Sequence, residues 1–574
     1  MKKLSVFIFT MSFLVSFNVF ADDFKLKIIH INDHHSHLRA EQADYTIDGI
    51  TMKVNQGGFP LIISEINSLK AEIPNSLVLH AGDAFSKHLF FTVFKEKANA
   101  DLMNLAGFDA MSVGNHEFDE GDGLLKKFID EVNFPLISSN INASEKSPLH
   151  GAIKPYIIKN IGEEKIGIIG LTVSRKTQGS SKPSDEITFL DEYESVSKYA
   201  AELKSMGINK IVLLSHYGYG RIGELANKLK DVDVIVDGDS HTLLGDFTNL
   251  GLKYEGPYPT FIPDAEGNNI CVVQAGYFGF AVGDLDVVFD DEGKVTSCSG
   301  SPVVIIQDII KSSVSPGQAK AAVDSAPNIK FVTPDPQAQK VLDHYEEELS
   351  AMREKVLCVS ADDIPQNWEP DAEMPHGSLF APLVAKAMAE YSGNADAALV
   401  NATVTRDGVV KDQNITFGTL IDLLPHHDTL WEIQMTGEEI KAVIEDALDN
   451  ALKTNTMRSF PYAYGLRYGI NMTKPYGQRV EALEITDKAT GKWTQPDGSK
   501  IYLIATTSFP GRGREGYVTF RTAQEKHGFA PETYINYRDV FKAYLQNLYN
   551  SGKKLDNLPE DMLPVKYYLK QMNN

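Results

Sequence analysis

Ala110-Met111-Ser112-Val113-Gly114-Asn115-His116-Glu117-Phe118-Asp119 reads as a short buried strand that opens into a polar loop. An Asn at a strand end can give a metal its carbonyl oxygen. The next His can reach a phosphoryl oxygen or a leaving group, and an Asp three residues on can orient that His. Alone, Gly114 to Asp119 is equally well a satisfied turn, because Asn and Asp side chains hydrogen-bond local backbone readily. The decision rests on whether other strands deliver matching groups.

They do. Leu26 to Ile31 is a short apolar, β-branched run that ends in Asn32-Asp33-His34-His35, and Ser76 to His80 ends in Ala81-Gly82-Asp83. Lys210 to Ser215 ends at His216, and Val232 to Val236 runs into Asp237-Gly238-Asp239-Ser240-His241. Between these lie helical patterns over Ala98 to Ala106, Leu124 to Val132 and Ser195 to Met206, and further extended segments over Pro135 to Ile141 and Lys165 to Leu171. Such alternation predicts a layered α/β domain. In that class ligands gather outside the carboxyl ends of the strands, so Asp33, His35, Asp83, Asn115, His116, His216, Asp239 and His241 are expected on one edge. A lone His after a strand is usually an ordinary loop residue, but coincident Asp, Asn and His at five strand ends meet the need of a metal for several convergent ligands. Carboxylate, amide oxygen and imidazole suit Zn, Mn, Fe or Co, and the absence of thiolates argues against a structural zinc.

Gly218-Tyr219-Gly220-Arg221-Ile222-Gly223 matches GxGxxG between a strand and a helix, the context of a dinucleotide fingerprint. It comes late in the domain and follows a strand that ends in His216, so its glycines are read as a tight turn beside a ligand.

Composition narrows the class. The 574 residues allow two large α/β domains, and a formal net charge of −22 disfavours nucleic-acid partners, which need clustered Lys and Arg. An anionic substrate must then be attracted locally. Met1-Lys2-Lys3, the apolar run Leu4 to Phe20 and Ala21 have the three parts of a secretory signal removed after residue 21, which predicts a periplasmic or secreted protein without a stable membrane anchor. Three cysteines exclude a disulfide scaffold; a bridge between Cys271 and Cys298 is left open.

The blocks Asp33-His34-His35, Gly82-Asp83, Gly114 to Asp119, His216 and Gly238-Asp239-Ser240-His241 resemble the calcineurin-like metallophosphoesterases, and more narrowly the secreted 5′-nucleotidase family. The Gly-Asp-Ser-His variant is similar to the bacterial periplasmic NAD nucleotidases. The resemblance implies a four-layer α/β/β/α metallophosphoesterase domain over residues 22–310, a linker with a helix over 311–356, and a C-terminal α/β substrate-binding domain over 357–574. It implies two divalent ions (Zn, Mn, Co or Mg), one held by Asp33, His35, Asp83 and His241, the other by Asp83, Asn115, His216 and Asp239. Asp83 is then the bridge, supplying one oxygen to each ion, and His116 with Asp119 is the catalytic pair. The expected chemistry is in-line attack of metal-activated water on a phosphate ester.

Within the second half, the pattern breaks after Val304, and Ala338 to Lys355 reads as a charged helix. Helical Ser378 to Tyr391, extended Ala397 to Asn401, a helix from Glu438 to Leu452 with a Thr436/Glu439 capping box, and extended Ile501 to Thr506 follow. The family pattern places substrate contacts at Asn401, Arg406, Phe509 and Glu515. It is broken by Ala402-Thr403-Val404 where glycines are usual, by His426 where a stacking Phe is expected, and by the lack of an Arg between Glu369 and Leu379. The expectation is therefore a secreted nucleotide hydrolase acting on 5′-nucleotides and NAD. A phosphoesterase for another small phosphate or a UDP-sugar, and a non-catalytic binding protein, stand as alternatives.

Overall fold

A computed structural model describes residues 23–86, 88–181, 183–426, 428–529 and 535–570; the expected signal segment lies outside them. The chain divides into two compact units between Glu346 and Glu347, within the segment read as a linker.

In the first unit two sheets lie face to face. The larger carries the parallel strands Phe24–Ile31, Ser76–His80, Ala110–Ser112 and Leu136–Ile137 in that spatial order, with Ala281–Phe289 antiparallel to the first. The smaller has Glu164–Thr172, Ile211–His216, Val234–Val236 and Asn269–Val273 parallel at its centre. Alternation along each strand divides the core. Leu26, Ile28, Leu77 and Leu79 meet Ile166, Ile168, Val212 and Leu214 between the sheets. Ile169, Leu171 and Leu213 turn outward onto Val196, Ala200 and Leu203 of the helix Glu192–Ser205. Strands buried on both faces must read as continuous apolar runs, which is how these segments were recognised. On the larger sheet, the helices Phe59–Lys70 and Lys97–Ala106 complete the layering. Cys271 and Cys298 are disulfide-bonded, joining the smaller sheet to the strand Val295–Gly300 of the larger one.

Two expected elements differ. The extended segment Pro135 to Ile141 is split into Leu136–Ile137 and Ile141–Ala143. Between them the chain crosses to the other sheet, where Asn140 bonds both the carbonyl and the N–H of Thr172. The pattern also does not break at Val304: Val303–Ser312 is one strand, paired with Ile50–Gln56 and with Ile329–Phe331. Its polar outer half masked it, since only Val304, Ile305 and Ile306 are buried.

The second unit centres on a sheet ordered Leu430–Thr436, Ile501–Thr507, Ala397–Asn401, Pro461–Tyr464, against which the helix Ala381–Ser392 packs. The helix Gly437–Thr454 starts with the expected capping box of Thr436 and Glu439. No described helix is long and apolar enough to cross a membrane.

Candidate active site

Parallel strands of both sheets end at one edge of the first unit, and their loops converge there. Asp33, Asp83 and Asn115 follow strands of the larger sheet, and His216, Asp239 and His241 follow strands of the smaller. Asp33, His35, Asp83, Asp239 and His241 all have left-handed backbones, with φ between 48° and 72°. Such conformations cost roughly 1–3 kcal/mol each in non-glycine residues and collect where function imposes them. The glycines allow the loops to close on each other. A Cβ at Gly238 would lie 2.4 Å from the Ala81 carbonyl oxygen and 2.8 Å from His216 Nδ1.

Hydrogen bonding leaves an acceptor bare on Asp33, Asp83, Asn115 and His216. Asp33 Oδ2 accepts from Asn32 Nδ2 at 2.8 Å and from the Asp239 N–H at 3.0 Å, while its buried Oδ1 has no hydrogen bond. Asp83 Oδ1 accepts from the His116 N–H at 2.8 Å, while its buried Oδ2 has none. His216 Nδ1 donates to the Ala81 carbonyl at 2.7 Å, and a carbonyl only accepts, so in the neutral ring, the form that binds a metal, Nε2 is a lone pair; burial lowers the pKa of this ring, but the charges of Asp83 and Asp33 outweigh it and raise it well above the ordinary value. It points at Asp83 Oδ2 (3.1 Å), Asp239 Oδ1 (3.7 Å) and Asp33 Oδ1 (4.0 Å). His35 Nδ1 likewise donates to Phe85 O at 2.9 Å, leaving Nε2 facing His241 Nε2 (2.9 Å), Asp33 Oδ1 (3.7 Å) and Asp83 Oδ2 (3.9 Å). Asn115, fully buried, has no partner for its amide oxygen. Acceptors without donors, buried and facing one another, fit divalent cations in kind and number of ligands. Because the His116 amide engages Asp83 Oδ1, the oxygen that faces both groups of ligands is Oδ2, rather than one oxygen for each side.

His116 stands beside this cluster, its Nδ1 donating to Asp119 Oδ2 at 2.7 Å and its Nε2 4.0 Å from Asp83 Oδ2. Burial pushes its pKa down, but the charge of Asp83 and the bond to Asp119 outweigh this and lift it to about 9. Glu117, buried behind the loops, accepts from the N–H groups of Gly114 (2.7 Å), Asp83 (3.0 Å) and Ala84 (2.7 Å) and so ties two strand ends together. Sequence reasoning overlooked Lys176 and Arg221. Lys176 Nζ pairs with Asp239 Oδ1, and Arg221 lies 3.6 Å from Asp239 Oδ2. They place two cations beside the cluster in a chain of net charge −22.

Residues 26–243 match the calcineurin-like phosphoesterases and residues 364–522 the 5′-nucleotidase C-terminal domain. The chain is 36% identical over 539 residues to a probable 5′-nucleotidase of Treponema pallidum, covering 90% of each chain. The chain belongs to the 5′-nucleotidase family. It is also 32% identical over 572 residues to the NAD 5′-nucleotidase of Haemophilus influenzae, covering 94% of each. The solved structure of the Haemophilus influenzae NAD nucleotidase matches with a TM-score of 0.73 at 31% identity, over 96% of this chain and 100% of that one. Membership makes the chain a metal-dependent nucleotide hydrolase.

In the second unit of this 5′-nucleotidase, Asn401 sits buried at the end of its strand and donates through Nδ2 to Glu515 Oε2 and Thr403 Oγ1, both at 2.8 Å. Glu515 Oε1 meets Arg458 at 3.2 Å, an arginine that sequence reasoning did not single out. Arg406 lines a groove of about 650 Å³ with Trp368, Asn455 and Met457. Phe509 is 40% exposed and Trp368 41%, so both rings present surface to solvent; only Phe509 was expected. The structure thus joins Asn401 to Glu515, and among the described residues no side-chain hydrogen bond links either of them to Arg406.

Proposed function

We propose that this chain is a secreted 5′-nucleotidase with two divalent ions that hydrolyses nucleoside 5′-monophosphates and the pyrophosphate of NAD. The observation that carries the reading is the facing set of bare acceptors, Asp33 Oδ1, Asp83 Oδ2, Asn115 Oδ1 and His216 Nε2. Asp33, His35, Asp83 and His241 would hold one ion and Asp83, Asn115, His216 and Asp239 the other. When bound, such ions lower the pKa of water and neutralise phosphoryl oxygens.

The chain's own groups do the rest. His116, fixed through Nδ1 by Asp119, turns Nε2 toward the oxygen on which charge develops as the ester bond breaks, and in its protonated form donates to it. Lys176 and Arg221 hold Asp239 and draw the phosphate in. Arg406 supplies a guanidinium fork for a phosphate oxygen, Phe509 a stacking face, and Glu515 with Asn401 a hydrogen-bonded pair for ribose hydroxyls. Activity on NAD is supported by the likeness to the NAD 5′-nucleotidase along both chains, and secretion by the Met1 to Ala21 segment. A different small phosphate as substrate has one observation in its favour, that Asn401 Nδ2 is already engaged by Glu515 and Thr403.

Purified protein, stripped with a chelator and reloaded separately with manganese, zinc, cobalt or magnesium, is assayed on AMP, NAD, UDP-glucose and non-nucleotide esters. Hydrolysis of AMP and NAD that vanishes on chelation and returns on reloading is expected. Turnover of the non-nucleotide esters alone would overturn the nucleotide assignment.

A further inference from the structure

Outside the site just described, His37, Glu41 and His88 bring one ligand atom each to within 4.8 Å of one another. His37 Nδ1 lies 2.9 Å from Glu41 Oε1, and His88 Nε2 lies 3.4 Å from the same oxygen. Ligand atoms around a tetrahedral zinc, each about 2.1 Å from the ion, stand about 3.4 Å apart, so the trio needs little movement to close on one. The rings are held for it. His37 stacks on Phe278 at 3.6 Å and 14°, and the His88 ring packs 4.4 Å from that of His37. His37 Nδ1, the nitrogen that faces Glu41, is buried and makes no aligned hydrogen bond among the described residues. The side chains are 14% (His37), 36% (Glu41) and 18% (His88) exposed, which shields the ring nitrogens yet leaves a path for an ion and a water.

We propose that His37, Glu41 and His88 form a third divalent-cation site, of His₂Glu type and suited to zinc, that braces the catalytic loops. Two imidazoles and a carboxylate with a fourth position left for water is a zinc donor set. The site clamps two segments that carry catalytic-site residues. His37 follows Asp33 and His35 on one loop, and His88 follows Asp83 on the other, where the His88 N–H bonds Ser86 Oγ and Ser86 Oγ bonds the His35 carbonyl. Phe278, against which His37 lies, donates its N–H to the Asp33 carbonyl at 2.8 Å and stands 6.0 Å from the His35 ring. An ion here fixes the backbone from which Asp33, His35 and Asp83 project, without itself touching substrate. The proposal does not depend on which phosphate ester the enzyme hydrolyses.

The first test is anomalous diffraction at the zinc edge on crystals of the whole protein equilibrated with zinc chloride. A peak between His37, Glu41 and His88 is expected, and none at saturating zinc would overturn the proposal, leaving an ordinary ion pair. The second is zinc per chain after dialysis at fixed free zinc. His88→Asn and Glu41→Gln, each checked for folding by circular dichroism, should each bind one equivalent less than wild type. His216→Asn should keep the equivalent that those two variants lose. Unchanged stoichiometry in a folded Glu41→Gln protein would refute the site whatever the catalytic ions do.

Discussion

Gly114→Ala tests how tightly the strand-end loops specify the site. A Cβ at Gly114 would lie 2.2 Å from Asp83 Oδ1, 2.5 Å from the Asp83 amide nitrogen and 2.8 Å from Glu117 Oε2. To restore even the 3.0 Å lower limit of real contacts, the Asp83 carboxylate must retreat by roughly 0.8 Å. It cannot do so freely, because Asp83 is tied by its own N–H to Glu117 at 3.0 Å and by Oδ1 to the His116 N–H at 2.8 Å. A misplacement approaching 1 Å at a reacting centre costs on the order of a hundredfold in rate, and overpacking costs about 1–3 kcal/mol of stability. Gly114→Ala is therefore expected to fold, with an unchanged circular dichroism spectrum, but to lose about two orders of magnitude in kcat/KM on AMP. Gly220→Ala is the paired control. Its Cβ would meet nothing within 4 Å, and it lies inside the helix Tyr219–Ala226, so activity should stay within about twofold and stability rise slightly. Retention of wild-type kcat/KM by Gly114→Ala would refute the argument that this backbone approach sets Asp83. A large loss in Gly220→Ala would return the GxGxxG segment to consideration as a ligand loop.

Three further perturbations bear on charge and stability. Lys176→Gln removes the partner of Asp239 Oδ1, and steady-state assays should show kcat/KM on AMP about tenfold lower at low salt, with the deficit shrinking as ionic strength rises. In the second unit, partial burial pushes the Glu439 carboxyl up, but bonds from the Thr436 N–H, Lys526 and His527 outweigh it and bring the pKa down to about 2. A depressed carboxyl contributes stability above its unfolded value that is lost as pH falls through the folded one. Glu439→Gln should thus unfold about 1 kcal/mol more easily at pH 7 in urea titrations, with the gap to wild type closing between about pH 4.5 and 2. Cys298→Ser opens a loop of 27 residues between the facing sheets, and the thermal transition of the first unit should fall by an amount corresponding to at most about 3.5 kcal/mol.

Much of this was legible before any coordinates. Strands buried on both faces announce themselves as apolar runs, and the rule that ligands lie beyond their carboxyl ends was enough to bring Asp33, Asp83, Asn115, His216, Asp239 and His241 to one edge. Less legible was the division of labour within each carboxylate. Asp83 keeps Oδ2 bare because the His116 amide engages Oδ1, and it does so from a left-handed backbone, a conformation that an Asp in a sequence does not advertise. Val303–Ser312 was missed because half of the strand faces solvent and carries the polar residues of a loop. The second unit was read through its elements more securely than through its pocket, since Arg458 and Trp368 come from segments with no periodic signal of their own.

The omission of Lys176 has a sharper cause. Glu164–Thr172 is also a central parallel strand, and its carboxyl end points to the same edge, so the positional rule applied to it as well. The residues that follow it, Val173-Ser174-Arg175-Lys176, include no metal ligand, so a rule restricted to metal-binding side chains leaves this strand end out. A phosphoesterase site must hold cations and receive an anion, and these demands call for opposite side chains at the same edge. Searching strand ends only for atoms that bind metal finds half of such a site. Lys and Arg in the next turn of chain mark the rest: Lys176 after Glu164–Thr172 and Arg221 after Ile211–His216, the two groups that flank Asp239. The positional rule that brings the candidate metal ligands to one edge thus brings candidate anion contacts there too, once the charge of the substrate specifies the residue type.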